Sequence, residues 1–167
     1  MERRLIVINF FSKKPSSTDA LLTSELFDEK TFYKKFHIDL LKCNSEVIIE
    51  SPFISSYRMK KLYPLFDQLV SKGIKIYIIT RPPIEHTDNL GIQAELEIQR
   101  LENLGIQVLL CEGNHHRKLA IIDRTILWEG SLNILSQNNS RELMRRINSK
   151  NISSDMLNFL KLARIFR

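Results

Sequence analysis

His116 and Lys118 stand two residues apart in the stretch NHHRKLAIID, Asn114 to Asp123, and GSLN follows from Gly130 to Asn133. The chain has 4 histidines in 167 residues, and His115 and His116 are adjacent, a pairing that needs an explanation. Residues two apart on a strand share a face, so His116 and Lys118 point together and His115 points away. KLAIID and TILWEG lie too close together for a helix between them, and a hairpin turning at Asp123–Arg124 is expected. In that register Ile122 pairs with Thr125, and His116 lies opposite Ser131. An imidazole, an ammonium, a hydroxyl, an amide and the Gly130 backbone then meet at one end of the hairpin. This is a set suited to oxyanions. A cation and neutral donors hold phosphate oxygens, and a ring nitrogen can reach phosphorus as nucleophile or general acid. Asp123 is an odd number of residues from His116 and roughly 23 Å along the strand, so it is expected to hold the turn and not to serve a His–Asp dyad.

His116, Lys118 and Asp123 fit the pattern H-x-K-x4-D, Gly130, Ser131 and Asn133 fit a following G-S-x-N, and Glu142 comes after them. In these positions the chain resembles the phospholipase D superfamily. The motif spans Asn114 to Glu142, and the β/α pattern from Glu46 onward is similar to that fold; residues 1–30 and the last 20 lie outside the likeness. The resemblance implies that a histidine attacks phosphorus to give a covalent phosphohistidine, which water opens without a metal, while a second histidine protonates the leaving oxygen. Only one copy of the motif is present, because His37 begins HID and His86 begins HTD. Single-copy members are mostly small nucleases that resemble homodimers with the active site on the two-fold axis. The same arrangement is implied here, with His116 as nucleophile in one subunit and general acid in the other. On that reading Lys118 and Asn133 hold phosphate oxygens, and Ser131 binds phosphate or orients its loop. Glu142 accepts from the other ring nitrogen of His116. Asp123 and Gly130 are structural, and His115 is structural or peripheral.

The elements that must position this set alternate along the chain. EVIIES (46–51), IKIYIIT (74–80) and IQVLL (106–110) read as strands rich in β-branched residues. Between the first two, Leu62, Phe66 and Leu69 repeat at helical spacing before Gly73, with Pro64 implying a kink or a restart. Between the second pair, Ala94, Ile98, Leu101 and Leu104 form a stripe ended by Gly105. A helix over about 28–43 carries Phe32, Phe36 and Leu40, and a last helix over about 153–165 is capped by Ser153 or Ser154. Leu5–Phe10 reads as a first strand in preference to a weak signal peptide. The expected fold is α/β, one domain over 1–167: a mixed, mostly parallel sheet with helices on both faces. The loops 80–91 and 135–142 are the candidates for lining a site.

Composition narrows the partners. An apolar fraction of 43% and a charged fraction of 26% are those of an ordinary soluble domain, and no run approaches a membrane span of about 18 apolar residues. Net charge is +6, yet residues 1–140 carry 18 Lys/Arg against 17 Asp/Glu, so the excess sits in 141–167. That points to a polyanion. Cys43 and Cys111 read as buried free thiols of a reducing cytoplasm. With no CxxC, HExxH or acidic pair, neither metal nor other cofactor is expected. Basic charge, small size and the absence of an amphipathic membrane helix favour an endonuclease acting on nucleic acid, DNA before RNA, with weak sequence preference and no stable membrane association. Arg81, Arg117, Arg124, Arg141 and Arg145 are candidate backbone-phosphate contacts. A phospholipase or cardiolipin-type phosphodiesterase, and a nucleic-acid-binding module with a silent site, are the alternatives.

Overall fold

Three strands buried along nearly their whole length form the centre of the molecule: β3 (Glu46–Glu50), β4 (Lys75–Thr80) and β5 (Gln107–Cys111). The structure, a computed structural model, describes residues 5–6 and 24–162. The three strands are parallel, and β1 (Leu5–Ile6) extends them by pairing parallel with Leu110–Cys111. On the other side of β3 the sheet becomes antiparallel through β6 (Leu119–Ile122), β7 (Ile126–Gly130), β8 (Leu143–Asn148) and β2 (Ser24–Asp28). The eight strands run in the order β1-β5-β4-β3-β6-β7-β8-β2.

Alternation along each strand divides the core in two. Val47, Ile49, Ile76, Ile78, Val108 and Leu110 face α1 (Phe32–Leu41), α2 (Ser56–Ser71) and α3 (Asp88–Asn103), which bury Phe36, Phe66, Leu69 and Ile98 against them. Ile48, Ile79, Leu109, Ile121, Leu127 and Ile147 face the opposite way, where Leu157 of α4 (Lys150–Phe159) packs. The fold is thus mixed α/β with helices on both faces. Its antiparallel half is larger than expected, because it includes β2 and β8, which the sequence pattern does not indicate. Among the described residues no helix is long and apolar enough to cross a membrane.

Several boundaries differ from expectation. α1 begins at Phe32 and not near 28, because the Asp28 carboxylate accepts from the N–H groups of Lys30 and Thr31 and ties them into a turn. α2 runs unbroken through Pro64, with Ser55 Oγ capping Arg58 N. α4 starts before Ser153, since Ser149 Oγ accepts from Ile152 N; Ser153 is buried within the helix. Residues 7–10 of the expected first strand and 163–165 of the expected last helix lie outside the described residues.

Candidate active site

The hairpin forms where expected, with one difference in register. Asp123 and Arg124 both adopt left-handed backbone, φ 50° and 51°, and Thr125 N donates to Ile122 O at 3.0 Å. Ile122 nevertheless pairs with Ile126 and Leu119 with Glu129, one residue away from the expected pairing. Thr125 is the extra residue. Its hydroxyl donates to Asp123 O and its carbonyl accepts from Ser149 N, just past β8. Gly130 N donates to Lys118 O at 3.2 Å, and His116 lies beyond that last bond. It therefore does not sit opposite Ser131.

Asp123 is at the far end, as expected. Its carboxylate accepts from the backbone N–H groups of Asn44, Ser45 and Glu46 and from Ser45 Oγ, all at 2.8–3.1 Å. Burial opposes its charge, but these donors outweigh burial and hold its pKa below the ordinary value. Arg124 pairs with Glu46 at the same end, remote from the groove.

Residues 115–118 alternate between two surroundings. His115 and Arg117 turn inward to Glu50, the last residue of β3. Arg117 grips that carboxylate with Nε at 2.6 Å and Nη2 at 3.2 Å, and His115 Nε2 lies 3.8 Å from it. Glu50 is 0% exposed and His115 6%. His116 and Lys118 turn outward. Lys118 Nζ lies 2.7 Å from His116 Nδ1 and donates to His116 O at 2.7 Å. Partial burial, then the Lys118 and Arg81 charges, lower the proton affinity of His116; burial also lowers the Lys118 pKa, with Glu142 opposing. Burial foremost, followed by the Arg117 charge, takes His115 down to about 4, so it is neutral near pH 7.

The GSLN segment is held against β8. A Cβ on Gly130 would lie 2.1 Å from Leu143 O, so only glycine allows the strands to approach here. Ser131 N and Leu143 O bond at 2.9 Å, and Ser131 Oγ accepts from Leu143 N at 3.1 Å. The Ser131 hydroxyl thus orients its loop. Asn133 O accepts from Gln137 N, while its side-chain Oδ1 is buried without a partner. Glu142 does not reach the His116 ring. Its carboxylate accepts from Ser140 Oγ at 2.8 Å, and Nδ1 of His116 faces Lys118 instead.

His116, Lys118, Ser131, Asn133, Glu142 and Arg145 line one groove of about 1120 Å³. Arg117 and Glu129 also line it, together with the apolar Leu26 of β2, Leu143 of β8, and Met156 and Phe159 of α4. Of the remaining candidate arginines, Arg141 is exposed, and Arg81 bonds Glu85 and Asn114 Oδ1. Glu85 accepts in turn from Gly113 N, so the 80–91 loop braces the turn that leads to His116. Two further residues stand near His116 that its motif does not include. Phe53, just past β3, sets its ring edge-on to His116 at 6.0 Å between centroids, and nothing in its local sequence marks it. Glu50 has a signal, an acid directly following the apolar run Val47–Ile49. Among the described residues no three His, Cys, Asp or Glu side chains gather as a metal cage would require.

Comparison with known proteins places this geometry. NucT from Helicobacter pylori superposes with a TM-score of 0.66 at 18% identity, covering 83% of this chain and 92% of that one. Nuc from Salmonella typhimurium, a phospholipase D family member, gives 0.65 at 16%, over 83% and 91%. Phosphatidylserine synthase from Haemophilus influenzae Rd KW20 gives 0.69 at 12%, over 84% of this chain but 38% of that one. At these identities the likeness is one of fold. No curated protein matches the sequence. The family model described as cardiolipin synthase, PLD-like domain, matches residues 38–162, which include every residue of the H-x-K-x4-D and G-S-x-N pattern. The chain belongs to the phospholipase D-like family of phosphodiesterases.

Proposed function

We propose that the protein is a metal-independent endonuclease, with DNA as the favoured substrate, that works through a phosphohistidine at His116 in a site shared by two copies of the chain. The observation that carries this reading is the placement of an ammonium on the exposed His116 ring, in a groove that also holds Ser131, Asn133 and Arg145. With Lys118 donating to Nδ1, the neutral ring carries its proton on Nε2. A phosphate that arrives at the ammonium competes for it and frees Nδ1 to take the proton, which leaves the Nε2 lone pair for phosphorus. Attack forms the P–N bond and breaks the P–O bond to the leaving alkoxide, which takes a proton from His116 of the second copy. Water then attacks phosphorus, loses its proton to that same imidazole, and returns the P–N electron pair to the first ring.

Asn133 and Lys118 are assigned to the non-bridging oxygens. Glu142 supports Lys118 electrostatically and not the ring. Arg81, Arg141 and Arg145 remain phosphate contacts in this proposal, while Arg117 and Arg124 are committed to Glu50 and Glu46. Exposed Leu26, Leu143 and Phe159, at 60%, 52% and 42%, border the groove and offer the apolar surface that a second copy would cover. That same rim also favours a second reading, a phospholipid phosphodiesterase whose acyl chains lie on it.

Incubation with single- and double-stranded DNA, RNA and phospholipid vesicles in excess EDTA separates these readings. Cleavage of DNA in EDTA, abolished by His116→Ala and reduced by a factor of roughly 100 or more in Lys118→Ala, is the expected result. Loss of cleavage in EDTA, or full activity of His116→Ala, would overturn the mechanism. Selective turnover of vesicles would move the assignment to lipid.

A further inference from the structure

A fully buried carboxylate is costly. Removing one from water costs several kcal/mol even after relaxation, and an apolar pair of similar size is often as stable as a buried ion pair. Glu50 is nevertheless completely buried at the end of β3, with Arg117 on it as a two-pronged fork. Burial raises its pKa, and the Arg117 charge opposes that rise. Its place gives the pair a use that apolar side chains could not supply, because Arg117 lies between His116 and Lys118 in the chain.

We propose that Glu50 is a positioning residue for the reaction: by gripping and neutralising Arg117, it sets where His116 and Lys118 stand and how readily the His116 ring holds a proton. This rests on the assignment of His116 as nucleophile and general acid. The fork draws Arg117 inward, and strand alternation then turns both neighbours out to the groove. His115, on the same inward side, lies 3.8 Å from the carboxylate as a neutral ring.

The charge balance follows from the groups around His116. Lys118 and Arg81 both depress its proton affinity, and Arg117 is the next residue in the chain. Glu85 pairs with Arg81, Glu142 acts on Lys118, and His86 lies across Phe53, whose ring contacts both histidines. Glu50 is the acid on Arg117. Without its carboxylate, the net positive charge is larger beside the ring that must, in one copy, donate a proton to the leaving group. That ring would then be unprotonated when the proton is needed.

Hydrolysis of bis(p-nitrophenyl) phosphate across pH, with melting curves for each variant, tests the proposal without presuming nucleic acid or lipid. Glu50→Gln is expected to lower kcat by roughly tenfold to a hundredfold with little change in KM. It is also expected to move the pH–rate profile to lower pH. Glu50→Gln with Arg117→Met removes both charges and is expected to return the profile towards that of the wild type. A Glu50→Gln protein that is folded and has an unmoved profile would overturn the proposal. If Glu50→Gln does not fold, Arg117→Lys keeps the charge and breaks the fork: a folded variant with lowered kcat and unmoved pH limbs supports the positioning role, and full wild-type kcat refutes it. His116→Ala with wild-type turnover would instead refute the nucleophile assignment, a failure distinguishable from the others.

Discussion

His115 and His116 share a backbone and almost nothing else. One is buried beside Glu50 with its proton affinity pushed down to about 4, and the other is exposed on the groove with Lys118 on its ring. The buried ring makes a pH-dependent contribution to stability. In the unfolded chain it takes a proton near 6.5, and in the folded protein only near 4. Between those values the unfolded state binds more protons, so stability rises with pH. The contribution is complete above 6.5 and is lost as pH falls through 4, amounting to on the order of 3 kcal/mol at about 1.4 kcal/mol per unit. Urea unfolding from pH 7 to 4 should therefore show a marked loss of stability that is flattened in His115→Gln. An unchanged slope in that variant would place the acid sensitivity elsewhere. Of this residue-scale chemistry, the outward pair His116 and Lys118 was legible from spacing alone. The inward grip on Glu50 was not, because it joins residues 67 apart and no local pattern encodes that contact.

The hairpin is the element on which the site depends, and it shows what sequence can and cannot convey. Its existence followed from two short strands with no room for a helix, but its register did not. Thr125 bonds to Ser149, a partner beyond β8 that a local turn rule cannot include. β8 itself was hidden by its charges. Arg146 lies on its inward side among apolar residues, made tolerable by Asp39 and Glu25, with Trp128 Nε1 donating to the same Asp39. A buried ion pair of this kind reads in the sequence as solvated charge, which is why the pattern does not indicate a strand over Leu143–Asn148. Contact between β7 and β8 also makes Gly130 the element's most sensitive position. Gly130→Ala would push a methyl into Leu143 O and separate the strands where Ser131 is anchored. A loss of about 1–3 kcal/mol in stability is expected, with a larger proportional fall in phosphodiester hydrolysis. Melting temperature and turnover measured together check this, and an unaltered Gly130→Ala protein would show that the strands are less tightly opposed.

At the scale of the whole molecule, one fold carries one histidine motif, whereas the proposed chemistry needs two imidazoles at one phosphorus. The apolar rim formed by Leu26, Leu143 and Phe159 lies beside that histidine, and cover by a second copy would bring the two rings to a common groove. Both requirements meet in one experiment: rapid acid-free quenching during turnover, followed by intact mass and peptide mapping of the protein. The expected result is a phosphoryl or nucleotidyl adduct on His116, base-stable and acid-labile, in no more than one chain of each pair. Turnover with no adduct, an adduct on another residue, or modification of both chains at once would contradict the shared-site mechanism.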